Sequence, residues 1–253
     1  MKTPPSPTLI LLPGWAMAPS SLTALAAELK AQLPGWAIDC AALPSLTDDA
    51  LDAWLDELDE RLPDNAWLAG WSLGGMLTMA LSARRGSRCP GVMTLGSNAS
   101  FVTRHEWECA LPPATLAAFR DRWASAPGKT RSRFFALVAR GSASFSLMIR
   151  HLESHAAPMS VDQALAGLSL LAHINLQALL APGHCPRLHL FAELDALVPV
   201  GAGDAMAEHL PAASVVHTLA QTGHAFPLEH PGTCARLMAA FITQPGTGDA
   251  HEC

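Results

Sequence analysis

The sequence lacks any long apolar segment. No stretch reaches the roughly 18 uninterrupted apolar residues of a membrane-spanning helix. The first ten residues, MKTPPSPTLI, contain three prolines and one lysine in place of the apolar run of a signal peptide. We therefore expect a soluble, cytoplasmic protein without a membrane partner.

Cysteine pairs with the CxxC spacing of metal or redox sites are also missing. The chain is large enough to fold without disulfides, so we expect reduced thiols. The cysteines are Cys40, Cys89, Cys109, Cys185, Cys234 and Cys253. His151 and His155 have the i, i+4 spacing that can chelate a metal from a helix. Because no carboxylate or cysteine completes a recognisable site, we expect neither a metal nor another cofactor.

Net positive charge is absent as well. The formal net charge of −6 argues against bulk binding of nucleic acid. The charge is unevenly distributed, because residues 104–150 hold eight of the sixteen lysines and arginines against three acidic residues. This basic segment, 104–150, carries a net charge of +5 and the rest of the chain −11.

The 253 residues, half of them apolar, suffice for one large α/β domain with an inserted subdomain. Short apolar runs that predict strands alternate with helical periodicity over the first hundred residues and again after residue 180. The predicted strands are 8–12, 36–40, 66–71, 91–96, 187–192 and 214–219. This alternation predicts an α/β fold with a mostly parallel sheet of about six to seven strands and helices on both faces.

Strand patterns stop between residues 101 and 180. Apolar positions recur there at helical spacing in LPPATLAAFRDRW, SRFFALVAR and VDQALAGLSLL. We interpret 101–180 as a helical insertion into a core formed by 1–100 and 181–243, and 244–253 as a disordered tail.

A pentapeptide of the form G-x-S-x-G, Gly70 to Gly74, lies between a predicted strand and a predicted helix. In a nucleophile elbow, the serine occupies a strained turn at the end of a strand, and the glycines allow the neighbouring backbone to approach closely. The helix that follows directs its N–H groups toward developing negative charge. The alternative is a tight turn with a capping serine. The placement favours Ser72 as a nucleophile.

A nucleophilic serine needs a base, and the base needs a carboxylate to orient it. Asp195 follows the predicted strand RLHLFA and His224 follows SVVHTLA, in the chain order Ser, Asp, His of strand-end catalytic triads. Glu193 is the alternative acid and His230 the alternative base.

An oxyanion intermediate needs two N–H donors. The elbow supplies one from Leu73. The loop after the first strand, Pro13-Gly14-Trp15, supplies the second candidate, the N–H of Trp15. Trp15 is equally compatible with a place in the core.

The motifs LLPGW, GWSLGG, ELDALVP and TGHAFPLEHP resemble those of the α/β-hydrolase superfamily. The stretches GSNASFVTRHEWECALPPATLAAFRDR and RFFALVAR narrow the resemblance to the pimeloyl-acyl carrier protein methyl ester esterases of biotin synthesis. Two positions depart from the superfamily pattern. Pro13 precedes Gly14 where histidine is common, and Ala192 stands where glycine is common.

The resemblance implies a helical lid and hydrolysis of a methyl ester on an acyl chain carried by an acyl carrier protein. It also implies that the acyl site is lined by Trp15, Ser72, Leu73, Phe134, Phe135, Ala136, Leu137, Val138 and His224. The basic segment fits an acidic carrier, and its predicted contacts are Arg131, Arg133, Arg140 and Arg150. We expect a monomer. A solvated helix face is the alternative for these arginines.

Two other functions remain open. One is a different reaction on the same scaffold, such as hydrolysis of small carboxylic esters, carbon–carbon bond hydrolysis or a lyase step. The other is a binding protein without turnover, which would be marked by a broken triad.

Overall fold

Six strands form one parallel sheet in the order β2-β1-β3-β4-β5-β6. The computed structural model describes residues 6–243 apart from 182, 184, 212 and 213, so the predicted tail lies outside the described residues. The strands are β1 (Thr8–Leu12), β2 (Ala37–Cys40), β3 (Ala66–Trp71), β4 (Val92–Leu95), β5 (Arg187–Ala192) and β6 (Val215–Leu219). The predicted α/β class is confirmed.

Helices connect the strands and cover both faces of the sheet. They are α1 (Thr23–Gln32), α2 (Leu51–Arg61), α3 (Leu73–Arg85), α4 (Pro113–Ser125), α5 (Pro127–Val138), α6 (Phe145–Ser154), α7 (Val161–His173), α8 (Gly201–Ala207), α9 (Phe226–Glu229) and α10 (Pro231–Ile242). In the described part of the chain, none of them has the length and apolar character needed to cross a membrane.

The sheet separates two hydrophobic cores. Successive side chains of β1 point to opposite faces. Ile10 and Leu12 pack with residues of α2 and α3, whereas Leu9 and Leu11 pack with residues of α1 and α10. Burial on both faces explains why β3 (AWLAGW) is apolar throughout and has no polar alternation.

The stretch between β4 and β5 contains α4, α5, α6 and α7. The helical periodicity predicted α4, α5 and α7, and α6 was missed. That helix, FSLMIRHLES, has apolar residues at i, i+3, i+4 and i+7, a spacing that could have predicted it, and it buries Met148 and Leu152. The region also contains isolated β-bridges outside the sheet, and its role as a separate insertion stays a prediction.

The strand order reverses at β1, which has β2 on one side and β3 on the other. Loops at the carboxyl ends of such neighbouring strands diverge and open a crevice where ligands bind. Leu12 lies beside Gly70 in the β1–β3 register. The loop after β1 and the serine after β3 therefore leave the sheet side by side.

Candidate active site

Ser72 occupies a strained turn between β3 and α3. Its φ is 55° and its ψ is −121°, a backbone conformation that residues with a side chain rarely adopt. A Cβ on Gly70 would lie 2.2 Å from the carbonyl carbon of Gly74, and one on Gly74 would lie 2.4 Å from the carbonyl oxygen of Pro13. Both glycines of the pentapeptide are thus required by close backbone approach. The turn has the geometry of a nucleophile elbow.

Asp195 and His224 form a buried hydrogen-bonded pair. His224 Nδ1 lies 2.7 Å from Asp195 Oδ2, and each side chain is 1% exposed. Asp195 Oδ1 accepts hydrogen bonds from the backbone N–H groups of Leu197 at 2.8 Å and Val198 at 2.9 Å. Because a carboxylate only accepts, Nδ1 carries the proton, and Nε2 of the neutral ring is left as the proton acceptor.

Trp71 connects the nucleophile's strand to the histidine's loop. Its indole N–H donates to the backbone carbonyl oxygen of His224 at 3.0 Å, and the two rings lie 5.6 Å apart. Sequence reasoning missed this contact. The only available signal was the position of Trp71 directly before Ser72.

Glu193, the alternative acid, and His230, the alternative base, form other interactions. Glu193 accepts a hydrogen bond from the backbone N–H of Gln221 at 2.7 Å. His230 Nε2 lies 3.8 Å from Glu229, and the side chain of His230 is 40% exposed. The geometry thus pairs His224 with Asp195.

The loop after β1 lies against Ser72. A Cβ on Gly14 would be 3.3 Å from Ser72 Cβ. Leu73 is the first residue of α3, where backbone N–H groups have no partner within the helix. Leu73 thus follows Ser72 in the chain, and the loop that contains Trp15 lies against Ser72 in space. The role of Trp15 and Leu73 as oxyanion donors stays a prediction.

An apolar cavity of about 140 Å³ opens beside Ser72. The described residues that line it are apolar except for Ser72 and Thr115. They are Trp15, Ser72, Phe101, Leu111, Thr115, Leu116, Phe119, Phe134, Leu137, Leu168, Leu171, Ala196 and Leu197. Most come from the helical region between β4 and β5.

Four of the predicted acyl-site residues line this cavity: Trp15, Ser72, Phe134 and Leu137. Phe135 and Val138 are instead buried in the core on the α1 and α10 side of the sheet. Leu73 is fully buried and Ala136 is half-buried, and neither lines the cavity. His224 packs against Trp71, the residue before Ser72, and does not line the cavity.

The four predicted carrier contacts are exposed arginines: Arg131, Arg133, Arg140 and Arg150. Within the described residues, none of them forms an ion pair within 4.0 Å. By contrast, Arg84 pairs with Asp56, and Arg85 pairs with Asp59 at 2.6 Å. The positive charge of these four arginines is thus not neutralised by an ion pair.

His151 and His155 lie side by side at the end of α6, with ring centroids 4.5 Å apart. Among the described residues, no group of three His, Cys, Asp or Glu side chains could hold a metal ion.

A sequence model described as the alpha/beta hydrolase family matches residues 9–237. The chain belongs to the alpha/beta hydrolase family. Among curated relatives of this hydrolase, the pimeloyl-(acyl-carrier protein) methyl ester esterase of Aromatoleum aromaticum is 34% identical over 251 residues, 93% of this chain and 98% of that protein. The biotin biosynthesis bifunctional protein BioHC of Cellvibrio japonicus is 31% identical over 229 residues, 89% of this chain and 45% of that protein.

Solved structures share the fold of this hydrolase. An esterase from Exiguobacterium antarcticum superimposes with a TM-score of 0.81 over 94% of this chain and 92% of that chain, at 13% identity. A hydrolase from Oleispira antarctica gives the same TM-score over the same shares at 16% identity. The family and its esterase-named relatives make this alpha/beta hydrolase a carboxylesterase, and the predicted enzyme class is confirmed.

Proposed function

We propose that this hydrolase cleaves the methyl ester of a pimeloyl chain carried by an acyl carrier protein, with Ser72, His224 and Asp195 as its catalytic triad. The observation that carries the triad is the buried 2.7 Å contact between His224 Nδ1 and Asp195 Oδ2, and the strained turn at Ser72 supports it. The name of the Aromatoleum aromaticum relative supports the substrate.

In the first half of the reaction, Ser72 Oγ transfers its proton to His224 Nε2 and forms a bond to the ester carbonyl carbon. The N–H groups of Trp15 and Leu73 stabilise the oxyanion. The bond to the methoxy oxygen then breaks, and His224 returns the proton to that oxygen, so methanol leaves an acyl-enzyme.

In the second half, water gives a proton to His224 Nε2 and attacks the acyl carbon. The bond to Ser72 Oγ breaks, and His224 protonates the serine oxygen. The product is a free carboxylate at the end of the acyl chain. A charged group is unfavourable in the apolar cavity, which favours release of the product.

The apolar cavity fits the methylene chain of the substrate. Phe134 and Leu137 from α5 and Leu168 and Leu171 from α7 provide apolar contacts next to Ser72, and burial of each methylene group contributes about 0.8 kcal/mol. In the proposal, residues 101–180 form the lid and the acyl chain leads from Ser72 to the surface of this lid.

The carrier would dock on the basic segment. Arg131 and Arg133 lie on α5, the helix that also contributes Phe134 and Leu137 to the cavity. Their exposed, unpaired charges fit an acidic partner. In this proposal the enzyme acts as a cytoplasmic monomer without a cofactor.

Hydrolysis of small esters is the second candidate function. It is favoured by the small cavity volume and by a lining without a charged side chain. Such esters need no contact with the arginines, so the two candidates differ in their dependence on surface charge.

The test compares the hydrolysis of pimeloyl-carrier methyl ester and of p-nitrophenyl butyrate. Ser72→Ala should lower the turnover of both substrates by about 10³-fold or more. Reversal of Arg131 and Arg133 to glutamate should impair only the carrier ester. Arg236→Glu, a reversal of one exposed arginine of α10, is the matched control for each of the two reversals made singly. Equal losses on both substrates, or none on the carrier ester, would contradict docking of the carrier on the basic segment. Failure of the native enzyme to cleave the carrier ester would contradict the proposed substrate.

A further inference from the structure

The turn between α5 and α6, residues 140–143, lies against both loops that carry the buried pair. Gly141 has a φ of +87°, and a Cβ on it would lie 2.9 Å from Gly223 Cα and 3.0 Å from Leu194 Cβ. Gly223 directly precedes His224, and Leu194 directly precedes Asp195. The turn thus touches the chain one residue before each member of the pair.

The contact is close from the other side as well. A Cβ on Gly223 would lie 2.0 Å from the carbonyl oxygen of Arg140 and 3.1 Å from Gly141 Cα. Two backbones therefore meet directly, and each has glycine at the point of contact. A side chain on either would push the turn and the histidine loop apart.

A hydrogen bond ties the turn to the same loop a second time. The backbone N–H of Ala143 donates to Glu229 Oε1 at 2.7 Å. Glu229 is the last residue of α9, the helix that begins two residues after His224. The turn is therefore attached to the chain on both sides of His224.

We propose that the 140–143 turn is a positioning element for the His224–Asp195 pair. It fixes the two loops relative to each other through Gly141 and fixes the segment after His224 through Glu229. The turn also follows α5, the helix that contributes Phe134 and Leu137 to the lining of the cavity. A single stretch of backbone therefore contacts both the proposed acyl site and the loops of the His224–Asp195 pair. The inference rests on the proposed catalytic role of the pair and is independent of the acyl carrier.

Gly141→Ala tests the contact, and Gly35→Ala is the matched control. Gly35 also has a φ of +87°, but a Cβ there would have no described atom within 4 Å. Both variants should have a lower Tm, because alanine is strained at this φ. Only Gly141→Ala should lose kcat on p-nitrophenyl butyrate, by about 10- to 100-fold, with KM little changed.

Glu229→Ala and Glu229→Gln test the hydrogen bond and decide the matter if Gly141→Ala does not fold. Glutamine keeps a side-chain oxygen that can accept from Ala143, so it should retain kcat, whereas alanine should lower it. The downfield proton resonance of the His224–Asp195 hydrogen bond gives a readout that does not need turnover. It should broaden or shift in Gly141→Ala and Glu229→Ala and persist in Gly35→Ala and Glu229→Gln.

The proposal is overturned if folded Gly141→Ala matches Gly35→Ala in kcat and in this resonance, or if both Glu229 variants match the native enzyme. The result is different if the proposed substrate is wrong. In that case the carrier ester is not cleaved, Ser72→Ala still abolishes cleavage of the small ester, and the turn variants are judged on the small ester.

Discussion

The indole N–H of Trp71 donates a hydrogen bond to the backbone carbonyl oxygen of His224 at 3.0 Å. The residue before the proposed nucleophile thus holds the residue proposed as its base, across 153 positions of the chain. Both groups are buried. Their separation in sequence means that the contact forms only when β3 and the loop after β6 are already in place.

Trp71→Phe should remove this hydrogen bond and leave a buried carbonyl oxygen unsatisfied. We expect a loss of about 1–3 kcal/mol in the free energy of unfolding and a lower kcat on p-nitrophenyl butyrate. Trp67→Phe removes the same atoms from the other end of β3, where Trp67 packs against Trp36 and Phe241. Chemical denaturation and steady-state kinetics measure both effects. Equal kcat values in the two variants would contradict a positioning role for Trp71.

Asp195→Asn should nearly abolish turnover while the fold is retained. The amide would no longer fix the Nδ1–H tautomer of His224 or stabilise its charged form, and the equivalent change in a Ser-His-Asp protease costs about 10⁴-fold in kcat. Glu193→Gln is the control, because its side-chain oxygen can still accept from Gln221. We expect Glu193→Gln to retain native kcat. A large loss in this control would assign the acid role to Glu193.

The strands were largely predictable from the sequence. The bounds of β1, β3 and β5 match the predicted ones. β1 and β3 are nearly continuous apolar runs, as expected for strands buried on both faces, whereas β5 also buries Arg187 and His189. The triad candidates were also predictable, since each follows a strand in the expected order. The contact of Gly141 with Gly223 was not predictable, because it joins residues far apart in sequence. Likewise, periodicity placed Phe134 to Val138 on a helix but could not tell that Phe134 faces the cavity while Phe135 faces the core.

Salt should slow the enzyme on the carrier ester and leave the small neutral ester almost unaffected. The exposed arginines of the basic segment would attract an acidic carrier electrostatically. Salt screens this attraction, and the screening length is about 10 Å at 0.1 M. We therefore expect kcat/KM for pimeloyl-carrier methyl ester to fall as sodium chloride is raised. The fall should be shallower when Arg131 and Arg133 are reversed. The same salt dependence for both substrates would argue against electrostatic docking.

His189 is a fully buried histidine in β5 that the proposed mechanism does not use. Its Nδ1 lies 2.7 Å from Thr94 Oγ1, and within the described residues its Nε2 has no hydrogen-bond partner. Burial, and to a lesser degree the positive charge of Arg187, lowers the pKa of His189 from 6.5 to about 3. The folded protein therefore keeps this ring neutral over a range of pH in which the unfolded chain is protonated.

His189 should make the protein sensitive to acid. As pH falls from about 6.5 to about 3, the unfolded state binds a proton that the folded state does not, so the free energy of unfolding decreases by up to about 1.4 kcal/mol per pH unit from this group. His189→Asn offers Thr94 a polar partner but does not titrate. Carboxylates titrate in both proteins, so the measured quantity is the difference between their free energies of unfolding at several pH values. The free energy of unfolding of the native protein should decrease relative to that of the variant as pH falls from 7 to about 4. A difference that stays constant over this range would show that His189 is protonated in the folded state as readily as in the unfolded chain.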